Sequence, residues 1–484
     1  MKEKISEILR KKCLRNVSLT ILLVAIIICL YFIINIGIEM LNPTDIDMTK
    51  DKNYSISQQT KDKLTNLDKE VTIYLYKFEN YQYVVDFANK YTKINDHIKA
   101  ENLENLNSKS EWKTEYGLSD STPAIIVSSG DNEKVLYEYD LITYDYTSGR
   151  QIDITEEAIT NAIVNVTIDE KPKLYLLTGH NQYSDEYLYS MQSALLSEGN
   201  EFETVDLLSK GKVPDDCDVL IITTLKEDIT QAEKDYIIDY IKNGGDILLL
   251  SDPNINKLEL PNFQKVLDEY GISISEGILL EGDSSRRIAN YPNMILTNIG
   301  SGTSITRNLE TGINLCLVTP GKIDIQDQEK LEELNVTSEI LATVSDKAFY
   351  RTDMDIETYS KTDDDEDSPN AVVGAILTKQ VEDDNNSKLL VFSNNVFATN
   401  APIQINTQYY MYAIDLYNNQ DAILNSLSYL TEREDTITIR KDIEIVNYAV
   451  SESQHQIILT IIFGLPIFII IVGIIVWQVR RRKK

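Results

Sequence analysis

Lys171-Pro-Lys-Leu-Tyr-Leu-Leu-Thr-Gly-His180 opens the stretch that decides the fold. Its apolar run stops at a Thr-Gly turn, as a buried strand does. Leu188, Met191, Ala194 and Leu195 then recur at the spacing of one helix face. Phe202 to Leu207, the turn Val213-Pro214 and a second apolar run, Val219-Leu-Ile-Ile222, follow. Thr230 with Glu233 three residues on is a capping box, starting a helix with Tyr236, Ile237, Tyr240 and Ile241 on one side. Asn243-Gly-Gly245 ends that helix as a left-handed cap. Ile247-Leu-Leu-Leu250 follows and closes at Ser251-Asp-Pro-Asn254. Short, wholly apolar strands alternating with amphipathic helices are the pattern of a parallel sheet covered on both faces. The stretch predicts an α/β domain.

Outward from that stretch, composition bounds the rest. At 484 residues, 43% hydrophobic and 25% charged, the chain is long and apolar enough for two or three cored domains. Its net charge of -30 is unevenly spread. The first 16 residues carry six Lys/Arg against two Glu, and the last five are all basic. Between these tails lie 35 basic and 74 acidic residues, a net of -39. Nucleic acid and anionic lipid would be repelled by that portion. Cys13, Cys29, Cys217 and Cys316 show neither disulfide nor metal spacing, and three histidines exclude a His-rich metal centre. No cofactor is expected.

Both ends predict membrane anchors. After the basic tail 1–16, residues 17–38 form an uncharged run of 22, enough for a bilayer core roughly 30 Å thick. No A-x-A-like cleavage site follows, so the anchor is read as uncleaved. Residues 457–479 are a second uncharged run, with Trp477 at its rim and the basic tail 480–484 beyond. Basic flanks on the outer ends place both termini in the cytoplasm. The expectation is a two-pass cell-membrane protein with residues 39–456 outside the membrane.

Two regions lie between the anchors, an N-terminal module at 39–168 and a central domain at 169–445. In the first, Tyr54 to Leu67 predicts a membrane-proximal helix, Val71–Tyr76 a strand, and Tyr83–Ile98 a helix. Strands follow at Thr122-Pro-Ala-Ile-Ile-Val127 and Val135-Leu-Tyr-Glu-Tyr139, then a helix over Glu156–Val166. This order resembles a thioredoxin-like module, without the C-x-x-C that dithiol chemistry needs. Beyond Asn254 the sequence predicts a helix at Phe263–Tyr270, a strand at Ile272–Ser275 and a short helix at Glu339–Val344. A strand pair, Ala371–Leu377 with Leu389–Phe392, precedes a helix at Asn418–Leu430 and an extended piece at Ile437–Ile439.

Candidate binding residues gather at strand ends. Thr178, Gly179 and His180 follow the first strand, Thr223 and Thr224 the second, and Asp252 and Asn254 the third. In an open α/β sheet that carboxyl edge is where ligands bind. Turn chemistry is the alternative use of the same residues. No catalytic set is legible: His180 has no Ser or Cys in a nucleophile elbow, and Cys217 precedes its strand. Asp363-Asp-Asp-Glu-Asp367 lacks the Gly and Glu of an EF-hand loop, so it is read as a solvated acidic loop. The chain has no G-x-x-x-x-G-K-[ST], so ATP hydrolysis by that route is excluded.

Several of these segments also carry a resemblance. Leu-Thr-Gly-His180, Pro214-x-x-x-Asp218-Val-Leu-Ile-Ile, Asp228-Ile-Thr-x-x-Glu233 and Tyr240-Ile-x-x-Gly-Gly-x-Ile-Leu-Leu resemble the Gldg family, the auxiliary component of ABC-2-type transport systems. Glu157-Ala-Ile-Thr-Asn-Ala-Ile163 and Asn419-Gln-Asp-Ala-Ile-Leu-Asn-Ser-Leu-Ser-Tyr-Leu430 fit the same family. The fold also resembles flavodoxin and class I glutamine amidotransferase-like domains. The family resemblance implies a non-enzymatic subunit that docks on an ABC-2-type permease served by a separate ABC ATPase. Its acidic ectodomain would bind substrate or a cell-envelope ligand. An envelope hydrolase using His180 with Asp252, or a structural envelope-binding protein, are the other readings.

Overall fold

The computed structural model describes Cys29 and residues 55–433, apart from 79–80, 108, 120–121, 146–149, 184, 289–290, 301–304, 306–314, 355–358, 383–384 and 405–409. The chain divides into Met1–Lys441 and Asp442–Lys484, and the second unit lies outside the described residues. The two uncharged runs (Cys29 excepted) and Ile437–Ile439 lie outside them as well. No helix among the described residues is long and apolar enough to cross a membrane.

The N-terminal region is built mainly from α1 (Gln58–Leu64), β1 (Val71–Tyr76), α2 (Gln82–Tyr91), β2 (Ile98–Leu103), β3 (Ala124–Ser129), β4 (Asn132–Tyr137) and α3 (Thr155–Thr167). Its sheet order is β2-β1-β3-β4, with β1 parallel to β2 and antiparallel to β3. Val71, Ile73 and Leu75 pack with Val84, Phe87 and Tyr91 of α2 and Ile159 and Ile163 of α3. Buried Glu156 accepts from Ser57 N and Thr60 Oγ1, both at 2.7 Å, which ties α1 to α3. The helix predicted over Tyr83–Ile98 stops at Tyr91, and Ile98 instead begins β2. Asn95 sets this break. Its amide donates to the carbonyls of Leu64, Thr65 and Leu67 at 3.0, 3.1 and 2.8 Å, pinning a turn against the end of α1. Only Ile98 of β2 is buried, so the strand leaves no apolar signature.

The central sheet has eight strands. In chain order they are β5 (Lys173–Leu177), β6 (Glu201–Val205), β7 (Val219–Thr223), β8 (Asp246–Leu250), β9 (Asn298–Ile299), β10 (Val336–Thr343), β11 (Val372–Glu382) and β12 (Asn385–Phe392). Across the sheet they run β9-β10-β11-β12-β8-β7-β5-β6. The five strands from β6 to β12 are parallel, and β11, β10 and β9 continue antiparallel. Side chains alternate across it as a pleat requires. Leu174, Leu176, Val219, Ile221, Leu248 and Leu250 share one apolar layer with α4 (Asp185–Ser197) and α7 (Asn419–Leu430). Tyr175, Leu177, Leu220, Ile222, Ile247 and Leu249 share the other with α5 (Gln231–Lys242) and α6 (Pro261–Asp268). Both faces are buried, which is why these strands read as unbroken apolar runs.

Two sequence expectations fail beyond the parallel strands. Glu339–Val344 is no helix; it falls in β10, whose β-branched Val336, Thr337, Ile340 and Thr343 suit the strand that pairs with β11. The acidic run Asp363–Asp367 is not wholly solvated either. The Asp365 carboxylate is 1% exposed and bridges the Arg351 guanidinium at 2.6 and 2.7 Å. Arg351 holds that carboxyl down at about 2.

At the amino edge, Asp246 is buried where β8 begins, and its Oδ1 accepts from Lys388 N at 2.7 Å. Burial pushes its carboxyl up to about 7, against the pull of the Lys388 amide and ammonium. An acid raised in this way binds its proton more tightly when folded. Its contribution to stability is therefore fully present below the unfolded value near 4, and is lost as pH rises towards 7. Asp246→Asn keeps an oxygen for Lys388 N and is expected to raise the melting temperature at pH 8, with the gain shrinking to nothing below about pH 4. Thermal melts of both proteins from pH 4 to 8 test this, and parallel curves would refute it.

Candidate functional site

β5 and β7 are parallel neighbours. The chain leaves β5 for α4 on one face and leaves β7 for α5 on the other, so a crevice opens between their carboxyl ends. The predicted residues cluster around this reversal, and the structure assigns each a partner or a place. Thr178 closes β5 against β6, its N and Oγ1 donating to Val205 O at 2.9 and 3.2 Å. Gly179 takes φ +104°, a conformation side chains resist, and turns the chain inward. His180 is thereby buried, with Nε2 3.0 Å from Glu233 Oε1.

Glu233 is the third residue of α5, and its other oxygen accepts from Thr230 N at 2.8 Å. One carboxylate thus caps a helix and holds the histidine of the neighbouring loop. The sequence showed its capping role only. Lys226 N donates to His180 O at 3.1 Å, adding a second stitch across the crevice.

Asp252 is the other hub. Its Oδ2 accepts from Thr224 Oγ1 and from Tyr183 OH, both at 3.1 Å. Its Oδ1 accepts from Asn394 Nδ2 at 3.1 Å and Asn395 N at 2.7 Å. Loops after β5, β7, β8 and β12 therefore meet on one carboxylate. Burial and the Asp252 charge raise the Tyr183 phenol well above its usual range, keeping it a donor. Asn254 does not join this group; it closes its own loop through Leu258 N and O, both at 2.8 Å. The Thr223 hydroxyl and both ends of the Asn395 amide are buried without a hydrogen-bond partner among the described residues. Tyr183, Asn394 and Asn395 were not singled out from sequence. The signal was available, since Ser393-Asn-Asn395 follows an apolar strand just as Ser251-Asp-Pro-Asn254 does.

Chemically, the arrangement ties neighbouring loops to one another. No Ser, Thr or Cys among the described residues bonds to the His180 ring, and Asp252 is saturated with donors. Burial pushes the Cys217 and Cys316 thiols each up to about 12, far from a thiolate. A cleft of about 780 Å³ lies at the opposite, amino edge, lined among others by Lys212, Tyr236, Asn243, Asp246 and Lys388. None of the predicted site residues lines it.

The fold and site define a doubly wound α/β protein with its polar groups concentrated at the switch point. The chain belongs to the family described as ABC-type uncharacterized transport system, whose model matches residues 171–426. It is thus an auxiliary protein of an ABC-type transport system. No curated protein matches the chain. Among solved structures, the mmIFT52 N-terminal domain is 12% identical, covering 54% of this chain and 97% of that one, with a TM-score of 0.37. A putative ThuA-like protein from Bacteroides uniformis ATCC 8492 is 14% identical, covering 54% and 93%, with a TM-score of 0.31. Neither likeness bears on the fold described above.

If Asp252 is a tie rather than a base, its charge matters less than its oxygens. Asp252→Ala strands donors from three neighbouring loops and is expected to cost about 3 kcal/mol or more, whereas Asp252→Asn keeps Oδ1 and costs about 1 kcal/mol. Urea unfolding of both variants checks this, and equal losses would count against the tie.

Proposed function

We propose that this protein is a non-enzymatic auxiliary subunit of an ABC-2-type transporter, anchored by residues 17–38 and 457–479 with both termini in the cytoplasm. The observation that carries the reading is the family match over 171–426, joined to an uncharged run at each end. The two anchors dock on a permease, and a separate ATPase supplies the energy, in keeping with the missing phosphate loop. Between the anchors, a thioredoxin-like module and a flavodoxin-like domain form an ectodomain that binds substrate or a cell-envelope ligand. Strand order 2-1-3-4-5 in the parallel half supports the second name, and the 2-1-3-4 order of the N-terminal sheet supports the first.

The non-enzymatic reading rests on the site's bonding. His180 is engaged by a helix-capping carboxylate, and Asp252 holds four loops. An envelope hydrolase would need a nucleophile beside the imidazole.

Purification of the intact chain from native membranes in mild detergent is expected to recover a multi-span permease and a P-loop ATPase in stoichiometric amounts. Recovery of the chain alone, or with wall polymers only, would overturn the transporter reading.

A further inference from the structure

α7 ends at Leu430, and the chain beyond it leads towards the uncharged run at 457–479. Two backbone bonds close the helix. Arg433 N donates to Ser428 O at 2.8 Å and Glu432 N to Tyr429 O at 3.2 Å, a paired pattern that needs a left-handed residue just past the cap. That residue is Glu432, at φ +55°, where glycine is the usual choice and a side chain is strained. Its carboxylate reaches back to the sheet, since Oε1 accepts from Lys388 Nζ of β12 at 3.2 Å. Arg433 makes a second tie, Nη1 donating to Asn200 Oδ1 at 3.4 Å between α4 and β6.

Lys388 also faces a second acid. Its Nζ is 3.9 Å from Asp246 Oδ2, while its backbone N donates to Asp246 Oδ1 at 2.7 Å. The ammonium lies over the Tyr429 ring as well, 5.2 Å from the centroid. Lys388 thus stands between a buried carboxyl where β8 begins and an exposed carboxylate where α7 ends; the two side chains are 10% and 84% exposed. Other ionisable groups around Asp246 are Tyr240 on α5, Tyr270 after α6, and Cys217 and Asp218 before β7, with Lys212 and Asp239 on the same cleft. Burial raises Tyr240, Tyr270 and Cys217, so these three stay neutral around pH 7. Burial brings the Asp246 carboxyl to about 7, and the Glu432 charge adds to the rise.

We propose that Lys388 is a proton-sensitive latch, which fastens the end of α7 to the sheet while Asp246 holds its proton and loosens it when Asp246 ionises. Docked Glu432 disfavours a charge on Asp246, so by reciprocity loss of the Asp246 proton disfavours docking. Ionised Asp246 also competes for the same ammonium, from a position that water screens less. The strain at Glu432 works against closure, so the ion pair has a measurable share in holding it. The link from this latch to the second anchor rests on the proposed topology, but the latch itself does not, and it is read without a permease.

Hydrogen exchange over residues 428–433 of the intact chain, corrected for the intrinsic pH dependence of amide exchange, is the test. Between about pH 5.5 and about pH 8.5 protection is expected to fall about threefold, the size of a partly exposed ion pair. Asp246→Asn should keep the higher protection at every pH. Glu432→Gln leaves Asp246 free to titrate, yet should show the lower protection throughout. Glu432→Gly, which closes the helix without strain or pair, should be protected and insensitive to pH. Exchange over Val219–Thr223, in the core, separates local release from general unfolding. If Asp246→Asn does not fold, Glu432→Gln at the exposed end of the pair carries the test. Wild-type protection that ignores pH, or the same fall in either Asp246→Asn or Glu432→Gln, would overturn the proposal.

Discussion

Everything in the central domain depends on one seam, where β8 lies parallel to β12. Between Leu250 and Asn385 lie 134 residues, and the pairing joins β5 through β8 to β12, on which the antiparallel strands β11, β10 and β9 are built. A contact of that sequence separation is entropically costly to close. It is accordingly fastened at both ends. At the amino end Asp246 accepts from Lys388 N, while Ser387 Oγ donates to Gly245 O and meets Tyr270 OH at 2.6 Å. At the carboxyl end Ser251 N donates to Phe392 O at 3.1 Å, and Asp252 accepts from Asn394 and Asn395. Between the pins, Ile247 to Leu250 lie in register with Leu389 to Phe392 and bury both faces.

This explains which parts of the fold were legible in sequence. β5, β7 and β8 are apolar on both faces and flanked by caps, so Leu174–Leu177, Val219–Ile222 and Ile247–Leu250 announced themselves. Capping at Thr230 and Glu233 was equally plain, because it is local. β12 was recognised as a strand, but its place beside β8 was invisible, since no local pattern encodes a partner that distant. β10 was missed for a different reason: its burial runs buried at Val336, exposed through Ile340 and buried again at Leu341 and Ala342, with a bulge at that point. Neither a period of 2 nor one of 3.6 survives that break.

The site was legible by position and not by role. Strand ends at His180, Thr224 and Asp252 came out correctly because the carboxyl edge follows from strand direction alone. What those residues do depends on side chains from elsewhere: Glu233 lies 53 residues from His180, and Asn394 lies 142 from Asp252. Asn254 went astray because its amide finds Leu258 within its own turn, an Asx-type closure that competes with any outward role.

The buried acids share a logic that bears on function. Glu156, Glu233, Glu281 and Asp365 are each sequestered with donors: backbone amides at helix starts, hydroxyls, or a guanidinium. They are a few of the 76 acidic residues of the chain. Exposed acids repel anions over roughly 8–10 Å in physiological salt. At the switch point the same principle ties loops together, since Asp252 and Glu233 each accept from donors on neighbouring loops.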